Sequence, residues 1–195
     1  SGGSSSTIYA AAVFDEDGDG PLPPALFVCG TFGTAGSVAA GCIARWNGTA
    51  WSSPGTLLGG ATARCMTVYD DDGPGPHPPA LYIGGTFTSA GGVAVHHLAK
   101  WDGASWANVG GGITASSPTV NAMTVFDDDG PGPHLPVLVI GGNFDHAGAV
   151  AADCLAAWNG TSWTSLNFGN GPVFALTVHD EDGGGPNPAK LYAGA

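Results

Sequence analysis

The chain repeats itself at a period of about 55 residues. Val13-Phe14-Asp15-Glu16-Asp17-Gly18 returns as Val68-Tyr69-Asp70-Asp71-Asp72-Gly73, then as Val125-Phe126-Asp127-Asp128-Asp129-Gly130. A fourth copy, Val178-His179-Asp180-Glu181-Asp182-Gly183, follows, and the three steps are 55, 57 and 53 residues. Other markers keep phase: Leu26 to Phe32, Leu81 to Phe87 and Leu138 to Phe144 align, and the six Trp form pairs five residues apart. A period of this length marks a repeat architecture, in which one unit cannot bury its faces without neighbours.

Within a unit the pattern is strand-like. In the second, Ala63 to Tyr69 is an apolar run closed by Asp70-Asp71-Asp72-Gly73-Pro74-Gly75-Pro76. Ala80 to Phe87 follows, then a small-residue turn over 88–92, a third run from Val93 to Trp101, an Asp102-Gly103 hairpin and a fourth run over 105–109. Gly and Pro (34 and 15 residues) fall in the turns, and the 43% of hydrophobic residues supplies a core. No segment has a sustained helical period. The expectation is an all-β fold of tandem four-stranded antiparallel blades in a β-propeller-like array. Its units are 1–60, 61–115, 116–170 and a partial fourth over 171–195.

Gly84-Gly85 after an apolar strand, with Trp101 and Trp106 at 16 and 21 residues beyond Gly85, resembles the kelch type of blade. Asp15-Glu16-Asp17-Gly18-Asp19-Gly20 resembles the cation loop of FG-GAP propeller repeats. Together the motifs are most similar to secreted bacterial kelch-like repeats, which occur in long tandem arrays. The resemblance covers the whole chain and implies architecture more than function, because propellers serve many functions.

Thirteen of the sixteen acids lie in the four first turns, which fall on one face of an up-and-down blade. Hard cations such as Ca2+ take several oxygens from a flexible loop. The candidate metal ligands are therefore Asp15, Asp17 and Asp19, then Asp70 and Asp72, Asp127 and Asp129, and Asp180 and Asp182. Pro74, Pro131 or Gly184 replaces the third ligand in the later turns. The competing reading is a solvated turn whose Asp side chains bond their own backbone. The Trp pairs are expected to pack between blades; Trp exposed on a hairpin would instead stack on sugar rings. Asn47-Gly48-Thr49 and Asn159-Gly160-Thr161 are glycosylation sequons at equivalent hairpins, where a structural turn alone also explains the Asn. Cys29 and Cys42 lie on adjacent strands, which makes a disulfide conceivable against a background of buried thiols.

Four bases against sixteen acids, net −12, leave no patch to neutralise phosphates, so nucleic-acid binding is disfavoured, as is attraction to anionic membranes. No apolar run reaches the length needed to span a bilayer. His96 and His97 form a doublet in one unit only, and no nucleophile elbow or phosphate loop is present, so catalysis is not expected. Closed propellers typically need about four to eight blades. Three and a half units therefore lead us to expect further repeats of a longer parent, or copies that join end to end. The functional expectation is an extracellular structural or adhesive repeat protein that self-associates through open blade edges as a filament or ring. The alternative is a non-catalytic glycan- or protein-binding module with calcium-dependent acidic turns.

Overall fold

The computed structural model describes residues 6–18, 20–58, 62–130, 132–169, 171–181 and 188–195. Within them the chain is all-β. Unit 1 contains β1 (Thr7–Phe14), β2 (Ala25–Thr31), β3 (Thr34–Ala35), β4 (Val38–Ala39), β5 (Ile43–Trp46), β6 (Trp51–Ser52) and β7 (Leu57–Leu58). Unit 2 repeats the series as β8 (Ala63–Tyr69), β9 (Ala80–Gly85), β10 (Ser89–Ala90), β11 (Val93–Ala94), β12 (Leu98–Trp101), β13 (Trp106–Asn108) and β14 (Ile113–Thr114). Unit 3 has β15 (Thr119–Phe126), β16 (Val137–Asn143), β17 (His146–Ala147), β18 (Val150–Ala151), β19 (Leu155–Trp158) and β20 (Trp163–Ser165). The partial fourth unit has β21 (Ala175–His179) and β22 (Lys190–Gly194).

Each full unit builds one four-stranded antiparallel meander: β1-β2-β5-β6, β8-β9-β12-β13 and β15-β16-β19-β20. These are the blades of a propeller-like array, and the first strands of successive units pack side by side. The third run of each unit is not continuous. In unit 2 it divides into β11 and β12, because His97 takes a left-handed φ of 65° between them, as Cys42 and Cys154 do in the sister units. The freed segment forms a ribbon of two-residue strands with the small-residue turn. That ribbon gains a third strand from the preceding unit: β7 pairs with β10 and β14 pairs with β17. The blades are thus stitched in series.

The core lies between blades, and strand alternation explains why. On β9, Leu81 and Ile83 join a cluster with Phe14, Phe27 and Leu57 of unit 1, while Tyr82 joins one with Leu138 and Ile140 of unit 3. Both faces of the second strand are therefore apolar. The Gly-Gly pair closing it has two separate causes. The first strand of each full unit carries a bulge, at Tyr9, Arg64 or Asn121, and the carbonyl two residues before it presses on the second strand. A Cβ at Gly85 would lie 1.9 Å from the Thr62 oxygen. A Cβ at Gly84 would instead lie 2.5 Å from Val120 Cγ1 of the next blade and 2.9 Å from Cys65 Sγ. In unit 1 the same position holds Cys29, fully buried, and its neighbours shrink to match: Ala10 stands for Cys65 and Ala63 for Val120.

Candidate functional site

The acidic turns are built by local hydrogen bonds. Asp70 Oδ1 accepts from the backbone N–H of Asp72 and Gly73 at 3.3 and 2.9 Å, and Asp127 Oδ1 from those of Asp129 and Gly130 at 3.2 and 2.9 Å. Asp15 Oδ1 accepts from Asp17 N–H at 3.4 Å. The second Asp of each turn reaches forward, with Asp17, Asp72 and Asp129 Oδ2 accepting from the N–H of Leu22, His77 and His134 at 3.1, 3.3 and 3.2 Å. Their other oxygens, Oδ1 of Asp17, Asp72 and Asp129, are shut from solvent and have no hydrogen-bond partner among the described residues. Asp180 follows β21 in a half-buried position. Asp19 and Asp182 lie outside the described residues.

The middle acid does something else. Glu16 Oε2 pairs with Arg45 Nε on its own third strand, while Oε1 accepts from Trp101 Nε1 of the next blade at 3.0 Å. Asp71 Oδ2 likewise holds Lys100 Nζ at 2.6 Å and Tyr82 Oη at 2.8 Å. The hairpin glycine of the following blade seats on the same turn. A Cβ at Gly103 would fall 2.1 Å from the Glu16 carbonyl oxygen, and one at Gly160 1.9 Å from that of Asp71. The second Trp of each pair completes the joint: Trp106 Nε1 donates to Pro54 O at 2.8 Å and Trp163 Nε1 to Gly110 O at 3.0 Å. The acidic turn is thus half loop closure and half latch to the next blade.

Unit 3 lacks the strand-borne partners. Ala157 stands where Arg45 and Lys100 do, and Val139 where Tyr82 does. Asp128 accordingly turns outward to His134, Nδ1 at 3.4 Å, which also meets Asp129 at 3.2 Å. These three residues bring ligand atoms within 4.8 Å of one another. In unit 2 the equivalent His77 meets Asp72 at 2.7 Å, a contact that lowers the Asp72 carboxyl below its ordinary range.

The Trp pairs sit directly across the third hairpin, with ring centroids 5.0 to 5.3 Å apart. In units 2 and 3 all four rings are buried at the joints. The sequon residues Asn47 and Asn159 are exposed. Their Oδ1 atoms accept from Thr49 and Ala50, and from Thr161 and Ser162, which closes the turn; Asp102 does the same with Ala104 and Ser105.

No disulfide joins Cys29 and Cys42, which corrects the bridge conceived from sequence. The register places Ile43, not Cys42, opposite Cys29. Each thiol has its own backbone neighbour, at Ala10 and Phe32 respectively. Burial pushes the Cys29 thiol up to about 12 and raises those of Cys42 and Cys65. His97 is half-buried, and desolvation lowers its pKa against a partly offsetting backbone bond at Thr86.

No family model matches the chain. It is 30% identical over 107 residues to Polarized growth protein L1 from Phoma sp.. The match takes in 54% of this chain and 7% of that protein, so the chain spans well under a tenth of that relative's length.

Proposed function

We propose that this chain is a non-catalytic, extracellular structural or adhesive protein whose blades stack in series and continue that stacking onto further blades of the same repeat. The observation that carries the reading is the exposed face of unit 1. It presents the counterparts of the groups with which units 2 and 3 seat on their predecessors: the Trp46–Trp51 pair, the Gly48 hairpin and the β3–β4 ribbon. That ribbon is two-stranded where its counterparts are three-stranded. Beside it a cavity of about 210 Å³ is lined by Ile8, Val28, Phe32 and Trp51. Unpaired strand edges of this kind template association. Four bases in 195 residues also leave few tryptic sites, which suits a surface exposed to proteases.

Sedimentation velocity over a concentration series tests the reading. Species larger than 19.2 kDa are expected to grow with concentration and to be lost in Trp46→Phe/Trp51→Phe, which removes two N–H donors but keeps an aromatic ring at each position. A monomer at every concentration contradicts it.

A second reading is favoured by the three equivalent carboxylate oxygens of Asp17, Asp72 and Asp129 that lack a partner among the described residues. A buried polar group left unpaired costs free energy, and a hard cation with water as co-ligand would satisfy it. Millimolar calcium is then expected to raise the thermal midpoint and chelator to lower it. An unchanged midpoint in both removes the cation from the account.

A further inference from the structure

The first Trp of a blade is buried against fixed positions of the blade before it. Trp101 clusters with Phe14 and Ala25 of unit 1 and with Leu81, its cross-strand partner. Trp158 clusters with Tyr69, Ala80 and Val109 of unit 2 and with its own partner, Leu138. None of these covered residues is more than 5% exposed. The same positions at unit 3 are Phe126, Val137 and Leu166, with Leu191 on β22. All four are part-exposed or exposed, Leu166 by 39%, and they line an open groove of about 650 Å³. Among the described residues β22 pairs with β21 alone, whereas β2, β9 and β16 each hold a third strand on the other edge. Unit 3 also has the most apolar of the three seats: Leu135 and Val137 replace Pro and Ala, and Ala157 removes the base.

We propose that this groove and the outer edge of β22 together receive a β-hairpin of the repeat's third and fourth strands, supplied by another chain. This rests on the reading that blades continue onto further blades of the same repeat, and it names the segment that makes the contact. The incoming third strand pairs with β22 and sets its Trp opposite Leu191, as Trp101 lies opposite Leu81 and Trp158 opposite Leu138. Its indole closes over Phe126, Val137 and Leu166, the counterparts of the cluster around Trp158. Strand addition supplies main-chain hydrogen bonds, and the ring supplies burial. A complete blade cannot be the donor. Its third strand, like β5, β12 and β19, already pairs with its own second strand on the edge that would meet β22. The donor is therefore a hairpin whose third strand is unpaired on that edge, and such a hairpin, marginal alone in water, orders as it docks. Asp128 faces His134 and has no strand-borne base, so the seat holds its guest by burial, which suits a joint that opens and closes between chains.

The probe is a peptide copying residues 97–109, titrated to ~1 mM into the isotope-labelled full chain. It contains β12 and β13 with both Trp. The chain is kept at a concentration where it sediments as a monomer. Saturable shifts are expected in the Leu166 and Leu191 signals. Trp101→Ala in the peptide should weaken binding about tenfold or more, as for any buried aromatic anchor. In the chain, Leu191→Lys should weaken it as much, and so should Leu166→Lys, at an exposed position where the unfolding midpoint stays unchanged. The proposal is overturned if no saturable shift occurs, or if the Trp101→Ala peptide binds as well as the parent, which makes the groove a seat for any apolar strand. It is equally overturned if both chain variants bind the peptide as the parent chain does, which puts the peptide elsewhere, as on the open face of unit 1. A chain that is monomeric at every concentration yet takes the peptide supports the seat and removes only self-stacking. A chain that grows with concentration but ignores the peptide removes only the seat.

Discussion

Gly84→Cys is expected to destabilise the chain by about 2–3 kcal/mol, although the same residue type sits at the equivalent position of unit 1. The reason is volume. A Cβ at Gly84 would be 2.5 Å from Val120 Cγ1 and 2.9 Å from Cys65 Sγ, inside a joint where both neighbours are buried. Cys29 is accommodated because Ala10 and Ala63 have given up that space. The triple variant Gly84→Cys/Cys65→Ala/Val120→Ala copies unit 1 and should recover stability to within about 1 kcal/mol of the parent, since contacting residues couple. Urea unfolding of the single and triple variants measures both values. A triple variant no more stable than the single one would show that the sulfur does not simply move from one strand to its neighbour.

Gly160→Ala should cost about 3 kcal/mol or more, and Gly103→Ala a similar amount. Both hairpin glycines have φ above 90°, and that strain alone is worth about 1 kcal/mol. The larger part comes from the preceding blade, whose Asp71 or Glu16 carbonyl oxygen occupies the place of the new Cβ. Gly48 supplies the internal control. It has a similar φ, 96°, and open space within 4 Å in the single chain, so at concentrations where the chain is monomeric Gly48→Ala should show the strain term only. Urea midpoints at equal protein concentration separate the two contributions, and equal losses at all three positions would mean that the turn, not the joint, requires glycine.

Much of the blade was legible in the sequence because its signals are local. The repeat period, the acidic turns and the cross-strand Trp pairs follow from residues close in the chain, and all reappear in the sheets. What escaped is what one unit does to another. The middle acids read as members of the same cluster as their neighbours, yet Glu16 finds its partners at Arg45 and Trp101, 29 and 85 residues away. No local pattern carries such a distance. Comparing units would have hinted at it, since Arg45 and Lys100 share one position and Ala157 breaks the series where Asp128 turns outward. The stitches β7 and β14 are two residues long, after Ser53-Pro54-Gly55-Thr56 and Gly110-Gly111-Gly112 respectively, too short for any alternation to show. The break at His97 was hidden inside the strand-like run from Val93 to Trp101.

The acidic turn of one blade holds the Trp hairpin of the next. A double-mutant cycle between Glu16→Gln and Trp101→Phe, read by urea unfolding, measures that contact directly. The amide keeps the shape of the acid, and Phe removes the indole N–H. A charge-assisted hydrogen bond in this partly buried position predicts a coupling of about 1–2 kcal/mol. Additive losses, with coupling below about 0.3 kcal/mol, would contradict the latch.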